Sequence, residues 1–337
     1  MTQNIIYTPS NIFADANLTL NSEATVIKET DISGVKLKEI YFSGREVNGK
    51  RPRGYGILAT SKPDAPLIVI IGDYNHEVCE EYVLSYASRG FSVFMFDYAG
   101  EYGSKTKYTF YPQEIDYANF SRAERHLNYA DIDVRQTSYF EWVLQSYYAI
   151  SACFSLLNGY TFKTGLIGIG CGADIVWMLS SFDKRISAYC TVFSAGWDAY
   201  KEIYKYSDEN TLKDISDERE RWLAGISSES YAKFVNAPML YVSSSNSAKT
   251  DMDRAYDTVS RISKDIDTFM CISARLSDYI NYYNKQNILL FFKKYLQDEN
   301  IILPPKANTV IKNIDDTIAV TVEEAVVQDI KKVTVFC

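Results

Sequence analysis

Among the patterns in this chain, the one most typical of a catalytic turn is the glycine spacing of the segment Gly168-Ile169-Gly170-Cys171-Gly172. It follows an apolar run that predicts a strand, and it precedes an apolar stretch that predicts a helix. Glycines at both ends of such a turn are typical of G-x-S-x-G motifs, which present a nucleophilic side chain. The central residue, which should supply the nucleophile, is Gly170. A glycine has no side-chain atom that can attack a substrate.

Cys171 offers a second nucleophile in the same turn. Its thiol would act in place of a hydroxyl, with His76 as the base and backbone N–H groups as the oxyanion hole. If Cys171 takes the nucleophile position, Ile169 and Ala173 stand where the motif has its two flanking glycines. The β-branched Ile169 fits a tight turn poorly. We therefore predict that Cys171 packs in the helix, and a Cys171 nucleophile with His76 stays as the alternative.

Gly168, Gly170 and Ala173 also match the G-x-G-x-x-A pattern of dinucleotide-binding turns. That pattern requires an acidic residue at the end of the next strand, which binds the ribose. The next predicted strand ends at 192–194 without a carboxylate. We therefore predict no cofactor. The six cysteines have no C-x-x-C spacing, so no metal site is predicted either.

Alternating strands and helices must position this turn. Continuous apolar runs predict buried strands at 66–71, 91–96, 165–169, 186–193, 238–242 and 268–272. Amphipathic stretches predict helices at 77–89, 137–157, 173–181, 251–263 and 281–296. Two alternating runs at 37–42 and 53–58, with Asn48 and Gly49 between them, predict a hairpin. The predicted fold class is α/β, with a mostly parallel central sheet, an antiparallel N-terminal hairpin and helices on both faces.

The pattern divides the chain into three parts. Residues 1–35 are polar and weakly patterned, which predicts an arm on the main domain. The α/β domain spans 36–300, and its long insertions at 98–136 and 197–237 are typical of segments that cover a site at the strand ends. Residues 301–337 contain two stretches that alternate with a period of two, at 318–322 and at 333–337, which predicts a short β segment. Its strands either pack on this domain or on a partner, or they begin a β-sandwich that continues beyond this chain. We favour the last interpretation.

Several motifs in chain order resemble those of the α/β-hydrolase superfamily, most closely its dienelactone hydrolase and acetyl xylan esterase-like branch. Residues 97–104 resemble its D-x-x-G-x-G-x-S segment, and 238–247 resemble its P-V-L-x-x-x-G-x-N-D strand, which ends in the catalytic acid. Residues 273–278 lie where the histidine loop of the family falls. The resemblance covers roughly 36–300, and it implies that fold together with a Ser–His–Asp triad that hydrolyses acyl esters or lactones.

The triad is carried over residue by residue from this resemblance. The nucleophile position falls on Gly170, the acid position on Ser247 and the base position on Asp278. No histidine follows His126, so a small shift of the alignment does not restore a base. A triad needs a nucleophile, a base within about 3 Å of it and an orienting acid. The resemblance therefore implies a hydrolase fold with a degenerate triad.

A pocket is predicted around Gly170, at the carboxyl ends of the strands. Asp73, Tyr74, Tyr98 and Cys171 lie in the segments that follow these strands, and we predict that they contact a ligand. His76 either faces this pocket or lies exposed near the start of a helix, and we expect the exposed position. Tyrosine suits such a site because it combines an apolar ring with a polar tip.

Composition excludes several classes of partner. Lys+Arg 35 against Asp+Glu 43 gives a net charge of −8, which disfavours nucleic acid and anionic membranes. No apolar run approaches the roughly 20 residues of a membrane-spanning helix. No secretory signal is visible at the N-terminus, and the cysteines lie mostly in apolar runs, so we expect a cytoplasmic protein.

The sequence therefore predicts a catalytically inactive protein with a hydrolase fold, which binds an unknown small ligand or a protein partner. The first alternative is an active carboxylic-ester hydrolase with Cys171 as nucleophile. The second alternative is a scaffold that pairs its C-terminal strands with a partner.

Overall fold

The computed structural model describes residues 6–14, 16, 18, 22–157, 163–197, 216–274, 279–298, 300–303, 308–314 and 317–323. The strands are β1 (Ala24–Ile32), β2 (Val35–Ser43), β3 (Arg53–Thr60), β4 (Leu67–Ile71), β5 (Ser92–Phe96), β6 (Thr164–Ile169), β7 (Ala188–Val192), β8 (Met239–Ser244), β9 (Thr268–Ser273), β10 (Asn308–Ile314) and β11 (Thr317–Glu323). The helices are α1 (Glu80–Ala87), α2 (Ser138–Leu156), α3 (Cys171–Phe182), α4 (Asp217–Ile226), α5 (Met252–Ser260) and α6 (Tyr282–Leu296).

Within these residues, nine strands form one sheet in the order β1-β2-β3-β5-β4-β6-β7-β8-β9. The first four strands of this order pair antiparallel, and β5, β4, β6, β7, β8 and β9 pair parallel. Parallel neighbours bring their carboxyl ends to one edge of the sheet, where the loops after β4, β6 and β8 meet. The predicted fold class is confirmed.

The hairpin of β2 and β3 is also confirmed. The two strands pair antiparallel from Lys36 opposite Thr60 to Ser43 opposite Arg53. Beyond the last pair, a tight turn is closed by Val47 and Lys50. Its central residues Asn48 and Gly49 both have positive φ, at 51° and 77°. This conformation is the one that makes Asn-Gly the preferred pair in such turns.

Strand β1 extends the sheet into the segment for which the sequence predicts an arm. It pairs with β2 along its length, with a register shift between Val26 and Lys28. Most of its side chains are exposed on both faces, so it has no apolar face to produce an alternating pattern. Charged side chains and a bulge are common on edge strands, because they oppose pairing with other chains.

The core consists of two apolar layers on opposite faces of the sheet. Along β4, Leu67, Val69 and Ile71 pack into the layer that contains α2 and α3. Ile68 and Ile70, which point the other way, pack into the layer of α1 and α6. Strand β4 is completely buried for this reason, and its uninterrupted apolar run is typical of a strand covered on both faces. The helices on both faces are therefore confirmed.

The first insertion forms short 3₁₀ helices, which pack beside α2. They are Gln113–Ala118, Phe120–Arg122, Glu124–Leu127 and Val134–Gln136. The described part of the second insertion contains α4. The two insertions contact each other, because the Ala130 N–H donates to the Glu218 carbonyl at 3.0 Å and Arg221 donates to the Ala130 carbonyl at 3.0 Å.

The C-terminal residues form a separate two-stranded antiparallel sheet of β10 and β11, with Asn308 opposite Glu323. The alternation at 318–322 lies in β11, and the alternation predicted at 333–337 lies outside the described residues. Among the helices that the structure describes, none is both long enough and apolar enough to cross a bilayer.

Candidate functional site

The turn between β6 and α3 has the geometry that its glycines predict. Gly170 has φ 58° and ψ −122°, a conformation that side chains rarely adopt. A Cβ on Gly168 would lie 2.3 Å from the Gly172 carbonyl oxygen, and a Cβ on Gly172 would lie 2.1 Å from the Ile71 carbonyl oxygen. Both contacts are with backbone atoms, which have little room to move. Gly168 is therefore required by close packing within the turn itself, and Gly172 by close packing of the turn against the end of β4.

The space beside Gly170 is filled by the carboxylate of Asp73, which follows β4. A Cβ on Gly170 would lie 2.5 Å from Cγ and Oδ2 of Asp73 and 2.7 Å from Oδ1. All three distances are shorter than real Cβ contacts. The side chain that the G-x-S-x-G turn normally presents is thus replaced in space by a carboxylate from a neighbouring loop.

Three donors hold this carboxylate. The backbone N–H of Cys171 donates to Asp73 Oδ1 at 3.1 Å, and the N–H of Tyr74 donates to the same oxygen at 3.0 Å. The Lys249 ammonium donates to Oδ2 at 2.6 Å. Burial alone would raise the pKa of Asp73, but the hydrogen bonds from Lys249 and Cys171 outweigh it and hold this pKa below its ordinary value. Asp73 is therefore a buried, ionised carboxylate.

Lys249 is positioned by the loop after β8, in which the predicted acid position lies. Ser247 Oγ accepts the backbone N–H of Lys249 at 3.1 Å and that of Thr250 at 3.3 Å, so it stabilises this turn. The Thr250 hydroxyl donates to the Phe193 carbonyl at 3.0 Å, which fixes the loop to the end of β7. The Lys249 side chain is 43% exposed and reaches Asp73 from the solvent side. Sequence reasoning missed Lys249, since no spacing rule singles out a lysine there.

Cys171 is the first residue of α3 and is half-buried. The Tyr139 hydroxyl lies 3.3 Å from its Sγ and 3.4 Å from Oδ2 of Asp174. Asp174 is itself buried, and it accepts hydrogen bonds from the hydroxyls of Ser194 and Ser228. One polar neighbour of the thiol is therefore a tyrosine hydroxyl that adjoins a buried carboxylate.

His76 and Asp278 are the residues that the sequence associates with a catalytic base. His76 is exposed in the loop between β4 and α1, where its backbone N–H donates to the Asp73 carbonyl at 3.0 Å. The exposed position matches the expectation for His76, and its pairing with Cys171 stays a prediction. Asp278, at the predicted base position, lies outside the described residues.

The two predicted tyrosines differ in environment. The Tyr74 ring is half-buried and stacks on Phe120 at a centroid distance of 3.7 Å, with Tyr102 at its edge. The Tyr98 ring is buried, and its hydroxyl donates to the Gly72 carbonyl at 3.0 Å. Tyr98 thus supports the loop that carries Asp73, whereas Tyr74 forms an aromatic surface beside it. Ligand contacts by either residue remain predictions.

A second ion pair, whose two side chains are buried, supports the same loop. The Lys105 ammonium donates to Asp97 Oδ1 at 2.7 Å and to the Tyr74 carbonyl at 2.6 Å, and both charged side chains are almost completely buried. The other Asp97 oxygen accepts the N–H groups of Gly100 and Thr109. Lys105 therefore ties the first insertion to the loop after β4. In the part of the chain that the structure describes, no group of His, Cys, Asp and Glu residues could hold a metal ion.

No protein-family model matches the chain, and no curated protein matches it in sequence. Solved structures do resemble it. An acetyl xylan esterase from Paenibacillus sp. R4 superposes with a TM-score of 0.63 at 13% identity, over 86% of this chain and 93% of that one. Acetyl xylan esterase 1 from Thermoanaerobacterium sp. JW/SL YS485 gives a TM-score of 0.60 at 14% identity, over 88% of this chain and 96% of that one.

About half of a larger protein also resembles this chain. The acylaminoacyl peptidase of Pyrococcus horikoshii gives a TM-score of 0.56 at 15% identity, over 84% of this chain and 51% of that one. These superpositions establish the fold, whereas identities this low leave the activity open. The sheet order, the turn at Gly170 and these structural neighbours together establish that the chain has the α/β-hydrolase fold.

Proposed function

We propose that this protein is a catalytically inactive member of the hydrolase fold, and that it acts by binding a small ligand or a protein partner near the turn at Gly170. The observation that carries the proposal is the turn itself. It keeps the backbone conformation that presents a nucleophile, yet Gly170 has no nucleophilic atom to present. Covalent catalysis of ester hydrolysis requires such an atom and a base beside it.

The neighbouring loops support the same proposal. Ser247 stands at the acid position, and its hydroxyl accepts two backbone N–H groups in the turn before Thr250. A hydroxyl carries no charge that could orient and stabilise an imidazolium, as the triad acid must. Tyr74, stacked on Phe120, offers an aromatic surface to a ligand beside the turn. A protein that retains these features but lacks the catalytic groups is suited to binding.

Ester turnover tests the loss of activity. We expect the full chain to hydrolyse p-nitrophenyl acetate, and an acetylated xylooligosaccharide, no faster than buffer does. The Cys171→Ala variant should behave identically, and Gly170→Ser should create no activity, since no histidine follows His126 in the sequence to act as the base. Turnover by the wild type that Cys171→Ala abolishes would overturn the proposal.

That same result would establish the second candidate, a hydrolase with Cys171 as nucleophile. The observation that favours it is the position of the thiol, half-buried at the first residue of α3 with the Tyr139 hydroxyl 3.3 Å away. Helix N-termini favour thiolates. Iodoacetamide labelling distinguishes the two candidates further, because the inactive protein should label no faster at Cys171 than at the exposed Cys79.

A binding role makes a separate prediction. A ligand that binds only the folded protein raises its melting temperature. We expect a screen of sugars, small esters and aromatic acids to contain a compound that raises this temperature, and the effect should diminish in Tyr74→Ala. If every active compound acts equally on Tyr74→Ala, binding lies elsewhere on the protein.

A further inference from the structure

The backbone around Asp73 matches the donor arrangement of an oxyanion hole. In G-x-S-x-G turns, one donor is the N–H of the residue after the nucleophile and the other is an N–H from the loop after an adjacent strand. Here the residue after Gly170 is Cys171, and the loop after β4 supplies Tyr74. Both N–H groups point at one oxygen, Oδ1 of Asp73, at 3.1 and 3.0 Å. The two donors therefore converge on a single point, as an oxyanion requires.

The group at that point is itself an anion. We propose that Asp73 is a built-in occupant of an intact oxyanion hole, and that removing its carboxylate opens a site for a small carboxylate between these N–H groups and Lys249. The inference rests on the proposed loss of catalysis, because a working hydrolase needs this position for its substrate. It adds a second block to catalysis, since the missing nucleophile alone would leave the donors open.

The absence of a side chain at residue 170 makes this occupancy possible. Any Cβ there would lie within 2.7 Å of the Asp73 carboxylate, so the carboxylate and a nucleophile exclude each other. The carboxylate also lies at the N-terminus of α3, where the helix dipole favours negative charge. Gly170 therefore does more than remove a nucleophile, because it also leaves the space that the Asp73 carboxylate occupies.

Lys249 supplies the counter-charge from the opposite side. Its ammonium lies 2.6 Å from Oδ2, the oxygen that the two backbone donors leave free. The carboxylate is therefore bound by parts of three loops, which follow β4, β6 and β8. A free carboxylate in the same place would meet the same three donors. The opened site should consequently prefer a small carboxylate over chloride.

Formate is the matched probe for this site. The Asp73→Ala substitution removes one carbon and two oxygens, and formate contains those same three heavy atoms. We expect sodium formate to raise the melting temperature of Asp73→Ala in a saturable manner, relative to sodium chloride at equal ionic strength. The wild type should show no saturable shift. In Asp73→Ala with Lys249→Met, the affinity for formate should fall about tenfold, because a charge-assisted hydrogen bond is lost.

A spectroscopic readout on the full chain complements the titration. The sequence contains six cysteines, so ¹⁵N-cysteine labelling gives a simple amide spectrum in which Cys171→Ser identifies one peak. That peak should shift in the nearly isosteric Asp73→Asn, which neutralises the group that the Cys171 N–H contacts. In Asp73→Ala, formate should move the same peak back toward its wild-type position.

The outcomes separate this inference from the proposed function. If formate neither stabilises Asp73→Ala nor moves the Cys171 peak, and Asp73→Asn leaves that peak unchanged, the occupied oxyanion hole is wrong while the inactive turn stands. If the wild type hydrolyses esters through Cys171, the proposed inactivity is wrong whatever formate does. Should Asp73→Ala fail to fold, the Asp73→Asn spectrum alone decides whether the contact exists.

Discussion

Gly170 and Asp73 should be energetically coupled, and a double-mutant cycle measures that coupling directly. The perturbation is Gly170→Ala, made in the wild type and in Asp73→Ala. An added methyl group would lie 2.5 Å from Cγ and Oδ2 of Asp73 and 2.7 Å from Oδ1. These are the three atoms that Asp73→Ala removes. Gly170→Ala must therefore displace the carboxylate in the wild type, and it meets none of those atoms in the second background.

The magnitude follows from the hydrogen bonds that the displaced carboxylate would lose. Hydrogen bonds to charged groups contribute about 1.5–3 kcal/mol each, and Asp73 accepts three. The bond from Lys249 counts for less, because that side chain is 43% exposed and water screens it. The displaced carboxylate would also regain hydration. We therefore expect a coupling free energy of about 2–4 kcal/mol between the two substitutions.

Backbone strain is common to both backgrounds and cancels in the cycle. A methyl group at φ 58° costs about 1–3 kcal/mol by itself. Gly103 is a control for a methyl group at positive φ without close contacts, because its φ is 57° and a Cβ there would meet no atom within 4 Å. Gly103→Ala should therefore cost less than Gly170→Ala does in the wild type. Gly170→Ala should cost clearly more in the wild type than in Asp73→Ala.

Urea unfolding followed by far-UV circular dichroism gives the four free energies of the cycle, together with the Gly103→Ala control. The slope of each transition should be equal among the variants, so that free energies of unfolding can be compared. If Gly170→Ala costs the same in both backgrounds to within about 0.5 kcal/mol, the carboxylate does not occupy the space beside Gly170 and the reasoning is refuted.

Two further predictions concern the ion pairs of the site. Because the pKa of Asp73 is lowered in the folded protein, its pairing stabilises the fold above the unfolded-state pKa and this stabilisation is lost as pH falls. Lys249→Met should therefore lower the free energy of unfolding by about 1–2 kcal/mol at pH 7 and by less below pH about 4. Urea unfolding at the two pH values measures this difference. An equal loss of free energy at both pH values would contradict the prediction. Lys105→Met should cost about 3–5 kcal/mol by leaving the buried Asp97 carboxylate without a counter-charge. In the same assay the control Lys107→Met should cost less than about 1 kcal/mol, because Lys107 is 51% exposed and its partner Glu39 keeps its contacts with Lys28 and Tyr55.

Much of the fold follows from local patterns in the sequence. Strand β4 is an uninterrupted apolar run because helices cover both of its faces, and a pattern of that kind is visible without any structure. The turn at Gly168, Gly170 and Gly172 is equally visible, because backbone contacts exclude side chains at the two flanking positions. Strand β1 could not be found in this way. Its side chains are exposed on both faces, so no apolar period marks it.

The contacts that form the site join residues that are far apart in the sequence, so local patterns do not reveal them. Asp73 was predicted to line the pocket, but its contact with Cys171 joins residues 98 positions apart. The contact of Lys249 with Asp73 spans 176 positions. Neither contact belongs to a spaced motif, because each depends on how the loops after two different strands approach each other. The residue types of a motif can therefore be predicted from a sequence. The side chains from other loops that lie beside the motif cannot be predicted in this way.

The arrangement at Gly170 reverses the usual energetics of a catalytic turn. A working turn places a non-glycine residue at positive φ and leaves two N–H groups without a protein acceptor, and both features cost stability in the free enzyme. Here glycine removes the backbone strain, Asp73 satisfies both N–H groups, and Lys249 balances the charge of Asp73. Catalysis through residue 170 would require a nucleophilic side chain there, a base beside it and the removal of Asp73. The first of these changes alone should destabilise the protein, which is the result that the double-mutant cycle predicts.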